Sequence, residues 1–343
     1  MKIFDCFTFY NEFDILEIRL HELYPIVDHF VVVEATKTYA GRDKPLHFAD
    51  NRERFAAYAD KIIHVVVDDL PAEASDHWAR EYAQRNGIER GLTLAAPGDL
   101  VIVSDVDEII RREVIEKIRA TGTAPAVLGF RLRVYSMRFN YQNILGPEAH
   151  IVWPVAMRRD QLTSPQEARN SRFDLDRAND GSVIDDAGWH YTSVGNDEWI
   201  RNKIANFSHS EFHDPAFITQ VNPNQLLARG LDLFGRNGRN IFEGKDFIWA
   251  IVPPPPLLVR EQPERFAKYF APAPEDALEK AFQRMLIDAA NNSRQLFGWT
   301  FIEKVLLRLF RFFRKKSFPT VSGRPWDINQ YNNLPSLGSR SRN

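Results

Sequence analysis

The segment GDLVIVSDVDEII, residues 98–110, ends an apolar run with three closely spaced carboxylates. Val101–Val103 lead into Asp105, Asp107 and Glu108. Residues i and i+2 of a strand share a face, and in the loop that follows the strand both carboxylates can reach one ligand. Carboxylate pairs bind hard divalent cations such as Mn²⁺ or Mg²⁺, and such a cation neutralises a leaving diphosphate. The spacing therefore predicts a metal site at Asp105 and Asp107.

The same acids allow a structural interpretation. Ser104 and the three carboxylates precede the segment Ile109–Ala120, whose apolar spacing is typical of a helix. Serine and acidic side chains stabilise the positive N-terminal end of a helix. Because D-x-D is a common spacing, the motif alone does not decide between these interpretations. Its position at the end of a strand favours the ligand site.

A histidine supplies a third candidate metal ligand. The segment DAGWHYTSVG, residues 186–195, places His190 beside Trp189, with Asp185 and Asp186 just upstream. A neutral imidazole binds Mn²⁺ and transition metals. The alternative is a buried histidine that packs against the tryptophan.

A second histidine pair flanks an acid in NFSHSEFHD, residues 206–214. His209 and His213 surround Glu211 with H-x-E-x-H spacing. The zinc-binding helix requires H-E-x-x-H, so a zinc site is not predicted here.

Polar residues also follow the first two predicted strands. Asn11 and Glu12 follow the first strand, and Glu34, Thr36 and Lys37 follow the second. Each could hydrogen-bond a nucleoside or sugar, and each could equally cap the next helix. The chain has no P-loop, no G-x-G-x-x-G after a strand and no G-x-S-x-G, so the nucleotide sites and the esterase site built on these motifs are not predicted.

Strands and helices alternate in the first third of the chain. Apolar runs predict strands at Ile3–Phe9, Phe30–Val33, Ile62–Val67 and Leu100–Val103, with helices at Asn11–Leu23 and His77–Gly91. Such βαβ units build a mainly parallel sheet that binds its ligands beyond the carboxyl ends of the strands. The acidic cluster lies at one of these ends.

The middle of the chain has a different pattern. It predicts longer strands at Val127–Met137 and Ile151–Met157, a loop at Ser164–Gly181, a short strand or loop at Trp189–Tyr191 and a helix at Asn196–Phe207.

The last part of the chain predicts a helical extension over residues 273–316 and a disordered tail over 317–343. Basic and apolar residues separate onto two faces of Gln295–Lys316. Such a helix suits an anionic membrane surface, or it packs on the domain or at a dimer contact.

The composition limits the classes of protein to which the chain could belong. The chain has 343 residues, 44% hydrophobic and 26% charged, which is ordinary for a globular protein. The net charge of −2 and the single cysteine predict neither nucleic-acid binding nor an internal disulfide. The start, MKIFDCFTFYNEFD, lacks the apolar core of a signal peptide, and no uncharged apolar run reaches about 18 residues. We expect a cytoplasmic protein, with peripheral contact at the inner face of the cytoplasmic membrane.

The order of the motifs is more specific than any one of them. Along the chain come FTFYNEFDILEIRLHEL, VDHFVVVEATKTYAG, KIIHVVVDDLP, GDLVIVSDVDEI, GWHYTSVG, KIANFSHSEF and FAKYFAP. This series, from about residue 2 to 272, resembles glycosyltransferase family 17, as a bacterial-type member. The resemblance implies a GT-A-like, Rossmann-like domain over 1–272 and inverting transfer of a sugar. The implied donor is UDP-GlcNAc and the implied cofactor is Mn²⁺.

The resemblance also implies roles for single residues. It assigns Asp105 and Asp107 to the D-x-D motif that contacts metal and diphosphate, and His190 is our candidate for a later ligand of the same metal. Eukaryotic members of the family carry Gly-Trp-His-Cys, whereas this chain has Tyr191 after the histidine. The compartment and the acceptor of those members do not carry over.

An inverting transferase needs a general base for the acceptor hydroxyl. Glu211 is the first candidate, and Asp185 and Asp186 follow it. The candidate residues for binding the nucleotide sugar are Asn11, Glu12, Glu34, Asp105, Trp189 and Lys203. Trp199 and Tyr191 could stack on a sugar, and Arg201 could reach the diphosphate; each could equally serve core packing or a solvated helix face.

Three classes of function fit these residues. The first is a metal-dependent glycosyltransferase acting on a glycan or a lipid-linked glycan. The second is a metal-dependent phosphohydrolase that uses the same carboxylates. The third is a non-catalytic protein that binds a nucleotide sugar or glycan.

Overall fold

The computed structural model describes residues 1–71, 78–143, 151–178, 181–206, 215–229, 233, 247–249 and 254–272. Several sequence predictions lie outside these residues. They are the base Glu211, the two histidines beside it, the extension at 273–316 and the tail at 317–343.

The strands of the described residues are, in chain order, β1 (Ile3–Thr8), β2 (His29–Ala35), β3 (Ile62–Val67), β4 (Leu100–Asp105), β5 (Glu108–Ile110), β6 (Val127–Arg131), β7 (Arg133–Ser136), β8 (Tyr141–Asn143), β9 (Val152–Arg158), β10 (Val183–Ile184), β11 (Gly188–Thr192) and β12 (Phe247–Trp249). The α-helices are α1 (Phe13–Leu23), α2 (His47–Asp50), α3 (Trp78–Asn86), α4 (Arg112–Ala120), α5 (Pro165–Asn170), α6 (Arg172–Ala178), α7 (Asp197–Asn206), α8 (Pro215–Gln220), α9 (Pro223–Arg229), α10 (Leu257–Glu261) and α11 (Pro263–Phe266). Short 3₁₀ helices cover Arg52–Lys61, Gly87–Gly91, Arg159–Gln161 and Ala267–Tyr269.

The chain divides into two compact units. The first comprises Met1–Val134 and Pro147–Val221, and the second comprises Tyr135–Gly146 and Asn222–Asn343. The first unit contains a seven-stranded sheet in the order β10-β6-β9-β4-β1-β2-β3. Strands β1 to β4 run parallel within it, as do β6 and β10, whereas β9 is antiparallel to both of its neighbours. The predicted α/β fold with a mainly parallel sheet flanked by helices is confirmed.

The core follows the two-residue period of the strands. On one face of the sheet, apolar residues of β1 to β4 pack against the 3₁₀ helix Gly87–Gly91 and α5; they include Phe4, Val31 and Val103. Gly91 allows this approach, because a Cβ there would collide with Val31. Among the described residues no helix is long and apolar enough to cross a bilayer.

The second unit has its own contacts. Strands β8 and β12 pair antiparallel. The amide of Asn140 exchanges two hydrogen bonds with the backbone of Ala271, at 2.8 and 2.7 Å. Phe139 packs against the aromatic rings of Phe266 and Phe270.

The helix predicted at Ile109–Ala120 is wrong in its first turn. Residues 108–110 form β5, which pairs antiparallel with β11, and α4 begins only at Arg112. Backbone pairing with a distant strand therefore overrides the local helical period. Consequently the acids after β4 do not cap α4, whose N-cap residue is Arg111.

The loop predicted at Ser164–Gly181 is also wrong, because α5 and α6 lie there. Ser164 caps α5 by accepting a hydrogen bond from the backbone N–H of Glu167, with Pro165 in the first turn. Serine followed by proline and a glutamate three residues on is a helix-start signal.

Two further predictions needed adjustment at their ends. The strand predicted at Val127–Met137 is divided into β6 and β7, because β7 leaves the sheet of β6 and pairs with β8 at Tyr135 and Gln142. The helix predicted at His77–Gly91 ends at Asn86 and continues as a 3₁₀ helix.

Candidate active site

A cavity of about 450 Å³ opens in the first unit where β1, β2 and β4 end. Thr8 closes β1, Lys37 follows β2 and Asp105 closes β4, and all three line the cavity. Six of the lining side chains are basic and four are acidic: Lys37, Lys44, Arg85, Arg169, Arg172 and Lys203 against Glu12, Glu81, Asp105 and Asp107. The cavity therefore carries an excess of positive charge.

The loop after β4 is held from beneath by Arg19 of α1. The fully buried guanidinium of Arg19 pairs with both carboxylate oxygens of Asp5, at 2.8 and 2.5 Å. It also donates to the backbone carbonyls of Asp105, at 2.9 Å, and Glu108, at 2.8 Å. One side chain thus binds the loop at both of its ends, which limits how far its carboxylates can move.

Asp105 is held by two arginines. Its Oδ1 accepts from Arg85 at 3.0 Å, and its Oδ2 accepts from Arg169 at 2.9 Å. Both arginine side chains are only 3% exposed, whereas that of Asp105 is 32% exposed. Burial would raise the pKa of Asp105, but the two guanidinium charges outweigh burial and hold this pKa well below its usual range.

Glu108 completes the same network. Its buried carboxylate accepts hydrogen bonds from both terminal nitrogens of Arg169 and another, at 3.1 Å, from the backbone N–H of Asp105. The three carboxylates of the segment therefore do not simply repel one another. Arg85 of α3 and Arg169 of α5 pair with Asp105 and Glu108 and offset their charge.

Asp107 faces a different set of partners. Its Oδ1 lies 3.6 Å from Nε2 of His190, and its Oδ2 lies 3.3 Å from Nζ of Lys203. The same ammonium lies 3.3 Å from Glu12. Burial would lower the pKa of Lys203, but the carboxylates of Asp107 and Glu12 raise it to about 12.

The position of His190 follows from the pairing of β11 with β5. His190 is opposite Glu108 in this pair, and the backbone N–H of Tyr191 donates to the carbonyl of Asp107 at 2.8 Å. Gly188 makes the pairing possible, because a Cβ there would collide with the carbonyl oxygen of Ile109. The Gly-Trp-His segment is thereby fixed directly beside the D-x-D loop.

The predicted metal ligands fit a divalent cation in part. Oxygen and nitrogen ligands bind such ions at about 2.0–2.2 Å, so the 3.6 Å between Asp107 and His190 is a separation that one shared ion would produce. Asp105 points instead to its arginines, and no three His, Cys, Asp or Glu side chains converge on one point within the part of the chain described. Two protein ligands are sufficient for an ion that is also bound by phosphate oxygens and water.

Comparison with known proteins decides the family. The model of glycosyltransferase family 17 matches residues 1–239. The chain belongs to glycosyltransferase family 17. This confirms the resemblance seen in the sequence and the predicted enzyme class, that of a glycosyltransferase.

Curated relatives of this family 17 chain include the human and rat beta-1,4-mannosyl-glycoprotein 4-beta-N-acetylglucosaminyltransferases. Each is 26% identical over 235 residues, which cover 62% of this chain and 44% of the relative. The match thus spans less than half the length of these proteins.

Two solved structures show weak similarity. Residues 1–349 of S. aureus TarS match with 16% identity and a TM-score of 0.32, over 92% of both chains. A mycobacterial protein matches with 13% identity and a TM-score of 0.33, over 60% of this chain and 73% of its own. Scores this low add nothing to the fold assignment.

The structure brings some of the predicted residues of this family 17 chain together. Glu12, Asp105, Asp107, His190 and Lys203 all line the cavity.

Other predicted residues lie elsewhere. Glu34 is buried away from the cavity lining, where it accepts from the backbone N–H groups of Phe48 and Ala49 at 3.0 Å each and pairs with His64 at 2.7 Å. Burial would raise the pKa of Glu34, but these partners lower it. Asn11 does not line the cavity either; its backbone N–H donates to the side chain of Glu12.

Asp185 and Asp186 lie outside the cavity lining. Asp185 pairs with Arg131, and its side chain is 64% exposed. Asp186 pairs with Arg111 at 3.1 Å and Arg133 at 2.7 Å.

The aromatic and basic candidates near Lys203 also have local partners. The buried ring of Trp189 lies 4.3 Å from the guanidinium of Arg111. The ring of Trp199 lies 5.2 Å from Nζ of Lys203, and Arg201 donates to the carbonyl of Val221 at 3.0 Å. Tyr191 is buried. None of these four side chains lines the cavity.

Sequence reasoning missed four basic residues of the cavity: Lys44, Arg85, Arg169 and Arg172. The last two fall in the segment predicted as a loop, and recognising the start of α5 would have placed Arg169 on a helix. Nζ of Lys44 is buried without a hydrogen-bond partner among the described residues, and burial lowers its pKa.

Proposed function

We propose that this chain is an inverting, metal-dependent glycosyltransferase that moves GlcNAc from UDP-GlcNAc to a glycan or a lipid-linked glycan. The observation that carries the proposal is the pair formed by Asp107 and His190. Their ligand atoms lie 3.6 Å apart on the wall of a cavity at the strand ends of a family 17 chain. The names of the curated relatives motivate the choice of GlcNAc.

Asp107 and His190 are the residues that would hold Mn²⁺ or Mg²⁺. When bound, the ion would offset the negative charge that develops on the leaving diphosphate. Lys203 stands next to this position and carries a positive charge of its own, since its pKa is raised to about 12. It would stabilise the same leaving group from the protein side.

We propose Glu211 as the general base. An effective base must be free to accept a proton from the acceptor hydroxyl. Lys203 engages Glu12 and Asp107, and arginines engage the other two carboxylates of the lining. A base from residues 207–214, directly after α7, fits this pattern, and Glu211 lies there.

We further propose cytoplasmic action on a lipid-linked acceptor at the inner face of the membrane. The proposal rests on the sequence of Gln295–Lys316, which separates basic from apolar residues. Its test is flotation with anionic vesicles. A chain without residues 295–343 should stay unbound, and binding equal to that of the full chain would remove this part of the proposal.

Asp107→Asn is the variant that tests the activity. With UDP-GlcNAc, Mn²⁺ and a pool of glycan acceptors, we expect the wild type to release UDP and form product, and Asp107→Asn to lose at least about 100-fold in rate. Asp174→Asn is the matched control, since its side chain is 86% exposed and outside the cavity lining.

Several outcomes count against the proposal. UDP release that does not depend on an acceptor would indicate a hydrolase. Full activity after chelation of the metal would remove the metal dependence. Turnover of GDP- or TDP-sugars in preference to UDP-GlcNAc would change the assigned donor.

A further inference from the structure

Three arginines line the cavity, and two of them, Arg85 and Arg169, are buried. We call Arg85, Arg169 and Arg172 the arginine cluster; all three line the cavity. The first two share the carboxylate of Asp105 and each has a second acidic partner, Glu81 or Glu108. Their charges are therefore balanced within the protein.

Arg172 is not balanced in this way. In the described part of the chain its guanidinium forms neither an ion pair nor a hydrogen bond, and its nearest aromatic rings are those of Trp153, at 5.6 Å, and Phe173, at 4.7 Å. Burial, and then the positive charge of Arg169, lower its pKa to about 10, and the nearby carboxylates of Glu108 and Asp105 offset only part of this. A half-buried cation without a directly bonded counter-ion is costly unless a ligand supplies the anion.

The unsatisfied polar atoms around the arginine cluster point to the same kind of ligand. In the described residues, Nε of each of the three arginines and Nε1 of Trp153 are buried without a hydrogen-bond acceptor. Each of these atoms is a donor. A ligand rich in acceptor oxygens complements such a wall, and the planar guanidinium matches phosphate oxygens in particular.

We propose that the arginine cluster is the subsite for the diphosphate of the nucleotide donor, and that Arg172 supplies the positive charge which the protein leaves unpaired for it. This inference rests on the proposed function, because the nucleotide donor is part of that function. The arginine cluster would bind the diphosphate without the metal. It lies beside Asp105, whereas the proposed metal position is at Asp107.

The test compares three probes in the presence of EDTA. Calorimetry would measure binding of UDP, uridine and inorganic pyrophosphate to the full chain. Arg172→Gln should weaken UDP and pyrophosphate at least about tenfold and change uridine less than about twofold, because only the first two carry phosphate. Arg172→Lys, which keeps the charge without the planar fork, should fall between.

Arg177→Gln is the control. Arg177 lies on the same helix α6, its side chain is 79% exposed, and it does not line the cavity. We expect its affinities to equal those of the wild type.

Thermal unfolding separates a binding role from a structural one. Without ligand, Arg172→Gln should melt at or above the temperature of the wild type, because a half-buried charge without a bonded partner has been removed. The stabilisation gained from saturating UDP should shrink in this variant. A residue that only holds the fold together would lower the melting temperature when replaced.

The remaining outcomes decide against parts of the proposal. Unchanged UDP affinity in Arg172→Gln, equal losses for UDP and uridine, or no binding of either phosphate probe to the wild type would overturn the subsite. Arg172-dependent binding of pyrophosphate without binding of UDP would keep a phosphate site but reject the nucleotide donor, and so the proposed function.

Discussion

The two aspartates of the D-x-D motif occupy contrasting surroundings, although they are two residues apart. Asp105 is bound by two guanidinium groups that are almost fully buried. Asp107 has an imidazole and a single ammonium, which it shares with Glu12. The first carboxylate is part of a packed ionic network, whereas the second lies beside an imidazole that could share a metal ion with it.

This difference indicates that the two aspartates of one motif have different roles. Asp105 pairs with Arg85 and Arg169 of the cavity lining, and Asp107 is the residue for which we propose a role in binding the metal. Both depend on Arg19, which holds the loop through the carbonyls of Asp105 and Glu108. We therefore expect the largest effect from replacing Arg19 and a smaller effect from replacing either aspartate. Replacing an acid that forms an ion pair outside the cavity should have the smallest effect.

Arg19→Met should have the largest effect on stability. The change leaves the buried carboxylate of Asp5 without its partner and frees two loop carbonyls. Breaking a buried pair in this way costs about 3–5 kcal/mol. Urea denaturation of the two proteins would measure the loss of unfolding free energy.

The matched control is Arg54→Met. Arg54 pairs with Asp14 and Glu17 near the surface, and its side chain is 35% exposed. Exposed pairs contribute at most about 1 kcal/mol. If Arg19→Met cost no more than Arg54→Met, then Arg19 would not be the anchor of the loop.

Asp105→Asn and Asp107→Asn should separate stability from activity. Asp105→Asn weakens charge-assisted hydrogen bonds to two arginines, and we expect a loss of about 1.5–3 kcal/mol. Asp107→Asn should lose less than about 1 kcal/mol, because Lys203 keeps Glu12 as its partner. Denaturation curves would measure the stability losses of the two variants, and the transferase assay on the same preparations would measure their activity losses. Equal stability losses would show that the arginines do not bind Asp105 more strongly than Lys203 binds Asp107.

The acid dependence of stability should also distinguish Asp105. Its pKa in the folded protein lies well below the value of about 3.9 expected in the unfolded chain. A depressed pKa stabilises the fold above the unfolded pKa, and this contribution is lost as the pH falls below about 4.

The stability difference between wild type and Asp105→Asn should accordingly be constant above about pH 5 and shrink below about pH 4. The slope should reach at most about 1.4 kcal/mol per pH unit. Asp174→Asn, at an 86% exposed position, serves as the control. A difference that stayed constant down to pH 3 would show that the arginines do not hold Asp105 ionised.

Local patterns in the sequence were sufficient to locate the cavity. Apolar runs located β1 to β4, and the rule that ligands bind at strand ends placed Asp105 and Asp107 correctly at the edge of the sheet. The ordered motifs also identified the family. The strands and the site needed only short-range periodicity and position along the chain, whereas the family came from the resemblance of the ordered motifs.

Residues whose role depends on distant contacts were not predictable in the same way. Arg169 and Arg172 lie in a polar segment, where arginine is usually exposed to solvent. Their burial arises from the packing of α5 and α6 against β9, which no local pattern shows. Likewise, Glu34 has the strand-end position of a ligand, yet the backbone of α2 takes both its oxygens.

The smallest effects should come from Asp185→Asn and Asp186→Asn. Both acids lie in the Gly-Trp-His region but pair with arginines outside the cavity lining. Asp186 has a left-handed backbone, with φ of 50°, a conformation that asparagine also tolerates. We expect each variant to keep its kcat within about twofold and to lose about 1 kcal/mol or less of stability, as for exposed ion pairs.

Steady-state kinetics with UDP-GlcNAc would measure this. A loss of kcat comparable to that of Asp107→Asn would make that acid a candidate for the general base. An unchanged kcat would remove both acids as candidates for the base. Glu211→Gln would then be the next variant to measure, with Asp185→Asn as its matched control.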